Sequence, residues 1–271
     1  MMMDRLPPVR WPITVDLQRQ RHRLRRYATR AGLPPASLTD LILAFNEAAA
    51  NVLDHGGAGT AVAYTDGSGL WVDVIDTAGT LTRAHLDGKP ATTASRGAGL
   101  LIIRSLCTQV ILDHPNGHSR LRLHFPRPQA PSEPNPPEPR PDSAPRRPTV
   151  SAHLLIHCHT LDGVTVIDIA GELDTNNADD FVNAVDKCLH TPGGDVILDL
   201  PRLSFIDSTG LRALLHIHAT VARHGGTLHL AALHEVPARL MEVAGVLEAL
   251  PVSATVAEAR EAIRAARTRE P

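Results

Sequence analysis

No stretch of this chain holds the roughly 18 consecutive apolar residues that a membrane-spanning helix requires. The opening residues, MMMDRLPPVRWP, lack an apolar stretch after their basic positions, so no secretory leader is expected. A strong charge of either sign is absent too. The net charge of −2 gives no global bias toward nucleic acid or an anionic membrane. Cysteine is scarce: Cys107, Cys158 and Cys188 are odd in number and widely spaced. They predict neither a metal site nor a disulfide framework, and a reducing cytoplasm is the expected compartment. Lysine is nearly missing, with Lys89 and Lys187 the only two among 27 basic residues, which reads as coding bias. The 15 histidines share that bias in part. What is present, 43% apolar and 21% charged residues over 271 positions, suffices for packed cores. The length predicts one large domain or two small ones.

The division is visible. Residues 126–149, PRPQAPSEPNPPEPRPDSAPRRPT, contain ten prolines among 24 residues and no large apolar side chain. Neither a core nor a helix forms on such a sequence, so it is expected to be a semi-rigid linker. Fully extended it would span up to roughly 75 Å at about 3.1 Å per residue. The flanks, 125 and 122 residues long, are each of domain size.

In the first flank, residues 16–31 predict a helix capped by Asp16 and ended by Gly32 and Pro34. Its face is strongly basic, with Arg19, Arg21, Arg23, Arg25, Arg26 and Arg30. Such a face is either solvated or a dock for an acidic partner. A second helix is expected over about 38–54, with Ser37 as cap and Asp40 in the first turn. Leu38, Leu41, Ile42, Phe45 and Val52 form its buried stripe, and Glu47 and Asn51, four apart, share a flanking face. Strands over 60–64 and 69–76 form a hairpin around Asp66-Gly67-Ser68, and the second ends in Asp76-Thr77-Ala78-Gly79. A polar stretch leads to Arg96-Gly97-Ala98-Gly99-Leu100, which opens a helix, and a last hairpin covers 109–125. Glycines just before a helix leave backbone N–H groups able to face an anion.

The order Glu47-Ala-Ala-Ala-Asn51, then an Asp-x-x-Gly strand end, then Gly97-x-Gly99-Leu100 resembles the GHKL ATPase superfamily. Within it, GAGLLIIRSL is similar to the anti-sigma factor serine kinases. The resemblance covers about 12–125 and implies an α/β sandwich with helices over one face of a mixed sheet. It implies ATP and Mg²⁺ as cofactors. Glu47 matches the general base, and Asn51 the Mg²⁺ ligand, whose amide oxygen suits that hard cation. Asp76 matches the acceptor of the adenine amino group. Gly79, Arg96, Gly97, Ala98, Gly99 and Leu100 match nucleotide-binding positions. Ala78 stands where the first glycine box usually has glycine, and Ala98 where arginine is frequent.

The second flank alternates strands and helices, the pattern of an α/β layer fold. DVILDL at 195–200 is a near-continuous apolar run, as in a strand buried on both faces. Asp207-Ser208-Thr209-Gly210 between that strand and a helix reads locally as a helix cap. With its flanks, VIDIAGELD and VILDLPRLSFIDSTGL, the segment closely resembles the STAS domain of anti-sigma factor antagonists, over about 150–267. That resemblance implies that Ser208 is a phosphoacceptor. Phosphate there would sit at a helix N-terminus, where free N–H groups and the dipole favour its charge. His153, His157 and His159 fall on one face of an expected strand, a candidate transition-metal set.

Together the resemblances imply a partner-switching regulator that controls a sigma factor, with a serine kinase and its substrate in one chain. The contact between them would be intramolecular or across a homodimer. The other reading is a binding module with a degenerate ATP site, whose second half captures a separate anti-sigma kinase.

Overall fold

The computed structural model describes residues 6–55, 58–88, 98–127, 154–189 and 193–269. The first half contains β1 (Val9–Ile13), α1 (Leu17–Arg30), α2 (Pro35–Asp54), β2 (Gly59–Thr65), β3 (Gly69–Asp76), α3 (Arg83–Asp87), α4 (Ala98–Leu106), β4 (Gln109–Asp113) and β5 (Ser119–Pro126). The second contains β6 (Leu155–Leu161), β7 (Val164–Leu173), α5 (Ala178–Cys188), β8 (Val196–Ile206), α6 (Ser208–Arg223), β9 (Leu228–Ala231), α7 (Glu235–Val243), β10 (Val252–Ser253) and α8 (Val256–Arg269).

Asp16 caps α1 as its position suggests, accepting the Arg19 N–H at 2.9 Å. The start of α2 differs from expectation. Pro34 is its N-cap and Pro35 its first helical residue, so Ser37 lies inside the helix and caps nothing. Proline's fixed φ suits a first helical position, which has no intrahelical use for an N–H. Asp40 therefore falls in the second turn and finds another partner. The burial of α2 is wider than the stripe read from its spacing, with every residue from Leu41 to Ala49 buried. The helix is enclosed by its sheet on one side and by α1, α4 and α7 on others.

The first sheet has the order β1-β2-β3-β5-β4, and every described pairing is antiparallel, not mixed as the resemblance implied. The hairpins β2–β3 and β4–β5 are joined by short turns, while α1 and α2 connect β1 to β2 and α3 and α4 carry the chain from β3 to the edge strand β4. Alternation along β3 turns Val72, Val74 and Asp76 toward the helices, so the aspartate ends an otherwise apolar inner face. The mixed sheet is in the second half, in the order β10-β9-β8-β7-β6, with only β6 antiparallel to its neighbour. The apolar strand β8 sits between parallel β7 and β9, as its unbroken hydrophobic run requires. Pro126, placed in the linker by composition, is the last residue of β5, and Arg127 beside it donates to the Asp66 carbonyl at 2.8 Å.

One buried apolar cluster extends through both halves, from Trp11 and Phe45 to Phe181 and Leu214. A smaller one lies under α8, around Val166, Ile197 and Ile263. The second half also corrects the cysteine reading. Cys158 on β6 and Cys188 at the end of α5 form a disulfide, their Cα atoms 6.1 Å apart. The pairing depends on β6 and α5 meeting in space, which a separation of 30 residues does not announce. The compartment inferred from unpaired cysteines loses its basis. No described helix is long and apolar enough to cross a membrane.

Candidate functional site

The site begins with a helix cap. Asp207, the single residue between β8 and α6, accepts the Thr209 and Gly210 N–H groups at 3.0 and 2.9 Å. This fixes the first turn of α6 and places Ser208 at its first position. Gly210 allows the turn to seat closely, since a Cβ there would lie 2.5 Å from the Leu173 carbonyl oxygen.

Ser208 meets Glu47 of α2. Its Oγ–H donates to Glu47 Oε2 at 2.6 Å, and its backbone N–H donates to Oε1 at 2.9 Å. Both contacts of one carboxylate thus go to one residue 161 positions away. Glu47 is only 3% exposed. Burial first, then the negative charge of Asp207, push its carboxyl up to about 7, against the two Ser208 hydrogen bonds. Asp207 is likewise shifted upward, chiefly by burial. Gly99, at the start of α4, makes room for the pair. A Cβ there would come within 2.5 Å of Glu47 Oε2.

Beside this contact lies a cavity of about 900 Å³. Asn51, Asp76, Ala98, Gly99, Leu100 and Ser208 all border it. Asp76 is buried, with one oxygen accepting the Ala78 N–H at 2.9 Å. Gly79 does not line the cavity. It takes a left-handed φ of +67° against the Gly117 carbonyl oxygen, where a Cβ would approach to 2.2 Å. Arg96 and Gly97 lie outside the described residues. The N–H groups at the start of α6 are not free, as the sequence reading had them. Those of Ser208, Thr209 and Gly210 are held by the Glu47 and Asp207 carboxylates.

Residues 14–125 match the histidine kinase-like ATPase domain, and residues 156–259 match the STAS domain. The chain joins a histidine kinase-like ATPase domain to a STAS domain. An anti-sigma F factor antagonist of Paenibacillus polymyxa is 25% identical over 91 residues, 33% of this chain and 78% of that protein. An anti-sigma-B factor antagonist of Bacillus subtilis is 32% identical over 88 residues, 32% of this chain and 80% of its own. A crystal structure of an anti-sigma factor antagonist from Mycobacterium paratuberculosis covers 41% of this chain and 95% of its own, at 23% identity and a TM-score of 0.38.

Further contacts through Arg21, Asn46 and Arg239 link the ATPase and STAS domains, and these roles escaped the sequence reading. Arg21 was read as one arginine on a basic face. It is 4% exposed and pairs with Glu172, closely, and with Asp174 at 3.3 Å. Its guanidinium also lies 3.8 Å from the centre of the Phe205 ring. Asn46 accepts a close hydrogen bond from Arg21 and donates to Asp207 at 3.3 Å, so it ties the arginine to the cap beside Ser208. Arg239 of α7 binds Asp40 of α2 at 2.8 and 3.3 Å. Arg212, one turn beyond Ser208, brings a cation from the STAS domain to the cavity wall. The available signal was partial. A dock for an acidic partner was one of two readings of the α1 arginines, the other being a solvated face, and nothing in the sequence singled out Arg21 among six.

Proposed function

We propose that this chain is a partner-switching regulator whose ATPase domain phosphorylates Ser208 of its own STAS domain. The observation that carries the proposal is the Ser208 Oγ–H donated to Glu47 Oε2 at 2.6 Å at the mouth of a cavity of about 900 Å³. A general base must lie within about 2.6–3.2 Å of the proton it takes, and its affinity should sit near working pH. Glu47, pushed up to about 7, meets both conditions.

The cavity fits a nucleotide. Its volume lies within the roughly 300–1,000 Å³ usual for small-molecule sites. Asp76 would accept the adenine amino group, and the Asn51 amide oxygen would ligate Mg²⁺. The N–H groups at the start of α4, around Ala98, Gly99 and Leu100, would face phosphate oxygens, with Arg96 and Gly97 just before them. Mg·ATP, when bound, supplies the phosphoryl group. Ser208 Oγ would form the new ester bond as the γ-phosphoryl's bond to the β-phosphate oxygen breaks and ADP leaves, and Glu47 would take the hydroxyl proton. Positioning and charge compensation account for most of such a transfer.

The product would carry roughly −1.5 to −2 charge against the Glu47 and Asp207 carboxylates. That repulsion works against the docked arrangement. It is the physical basis for a switch that frees the ATPase domain for its other partner, a sigma factor in the reading drawn from the antagonist relatives. The test is intact mass of the full chain after incubation with Mg·ATP, with peptide mapping. The expected result is one added phosphate on Ser208, absent in Ser208→Ala and in Glu47→Ala. A phosphopeptide of wild-type abundance in Ser208→Ala would overturn the site. No phosphate in the wild type, while a separate active kinase of this type modifies Ser208, would establish the binding-module reading instead.

A further inference from the structure

His157 and His159 lie two apart on β6, the edge strand of the STAS sheet, so both point to one face. Asp168 of β7 is directly opposite His157 in the antiparallel register. Both imidazole Nδ1 atoms lie 3.5 Å from the same oxygen, Asp168 Oδ2, and the three atoms all fall within 4.8 Å of one another. His153, the third histidine of the sequence pattern, is outside the described residues.

The distances discriminate between two explanations. A ring N–H bonded to a carboxylate oxygen lies at about 2.7–3.2 Å, so 3.5 Å is long for a hydrogen bond. Ligand atoms at about 2.0–2.2 Å from a tetrahedral Zn²⁺ stand roughly 3.4 Å apart, close to the two nitrogen–oxygen separations of 3.5 Å. Charge points the same way. Asp199 on β8 is the register partner of Asp168, and the two carboxylates share this face. Two neighbouring carboxylates and two imidazoles form a donor set of borderline hardness, which suits Zn²⁺ or Co²⁺ better than Mg²⁺ or Ca²⁺. The side chains of His157 and His159 are 77% and 42% exposed, so an ion can enter from solvent and keep water in its remaining position. The cavity between the domains contains none of these residues.

We propose that His157, His159 and Asp168 form a surface site for one divalent transition-metal ion of the Zn²⁺ class. The ligands are neutral imidazole Nδ1 of His157 and His159 and one oxygen of Asp168, with Asp199 adding charge behind them.

The test uses the tag-free full chain, stripped with chelator and titrated with Zn²⁺ by calorimetry and with Co²⁺ by visible absorption. The expected result is one saturable equivalent and a cobalt absorption band that zinc abolishes. Because His159 is exposed and Asp168→Asn keeps the shape of a half-buried side chain, both variants should fold normally, which circular dichroism checks. Each should lower affinity by more than about tenfold, since even supporting residues of metal sites are worth that much. A His216→Ala, His218→Ala control on α6 should leave the equivalent intact. Absence of a saturable equivalent in the wild type would overturn the site. So would an affinity unchanged in both ligand variants, which would place the ion among other histidines.

Discussion

At the residue scale, the chemistry rests on one buried carboxylate, and its environment sets a pH dependence with two opposite consequences. Glu47 titrates near 7 in the folded chain and near 4.5 in a model peptide. As a base it must be ionised, so the initial rate of Ser208 phosphorylation should rise with pH through about 7 and level off above it. Stability runs the other way. A folded-state carboxyl raised above its unfolded value binds its proton more tightly in the native state. The resulting stabilisation is fully present below about 4.5 and is lost as pH rises through about 7. Thermal melts of the wild type should therefore fall from pH 5 to pH 8. Glu47→Gln should flatten part of that fall, with the raised Asp207 keeping the remainder. A slope unchanged in Glu47→Gln would mean that Glu47 is not the shifted group. The glycine beside it gives a second residue-scale prediction. Alanine at position 99 would favour the helix by about 1 kcal/mol, yet its Cβ would press on Glu47 Oε2, an overpacking cost of about 1–3 kcal/mol. Gly99→Ala should change the melting temperature little and lower the phosphorylation rate by about tenfold or more. A rate within twofold of wild type would show that the carboxylate can give way.

At the scale of elements, the docked face is held by helices α1, α2 and α7, and burial decides which contacts matter. The Arg21 contact is nearly closed to water, with partners whose side chains are 14% and 8% exposed. Breaking one side of such a pair costs about 3–5 kcal/mol, because it leaves two carboxylates and an amide without their cation. The Arg239–Asp40 pair is 35% and 19% exposed, open enough for solvent screening to reduce it to about 0–1 kcal/mol. Arg21→Ala should separate the two domains, seen as faster proteolysis within residues 128–153 and a larger radius in small-angle scattering. Arg239→Ala should leave both nearly unchanged. Equal effects from the two substitutions would refute this ranking. The same contrast explains what was readable beforehand. Glu47, Asn51 and Asp76 became candidates through the resemblance that their order along the chain carries, since the spacing of Glu47 and Asn51 alone says only that they share a helical face. Ser208 was evident from its flanking strands. The layered fold of the second half followed from its alternating elements and runs such as 195–200, whereas that of the first came from the resemblance, which had its antiparallel sheet as mixed. Arg21, Asn46 and Arg239 have partners 151, 161 and 199 positions away, where no local pattern reaches. Cys158 reaches Cys188 only once β6 and α5 come together, and His157 faces Asp168 only once β6 is laid against β7.

At the scale of the whole molecule, the question is whether a chain modifies itself or its neighbour. The docked serine and glutamate belong to one chain, and the proline-rich segment keeps them together at an effective concentration on the order of millimolar. A second copy at micromolar concentration would compete at a disadvantage of roughly a thousandfold, unless the face were vacated. It would also meet a face already closed by Arg21 and Asn46, contacts that substitution at Ser208 leaves in place. Two observables follow. The initial rate per molecule should be constant over a hundredfold range of protein concentration, because a first-order event has no partner to wait for. A mixture of the Ser208→Ala chain, which keeps its base, with the Glu47→Ala chain, which keeps its acceptor, should yield almost no phosphate on Ser208, although each supplies what the other lacks. A rate that climbs with concentration, together with phosphate on the Glu47→Ala chain in the mixture, would mean that the serine is exchanged between copies and that the docked form is a resting state awaiting a second molecule.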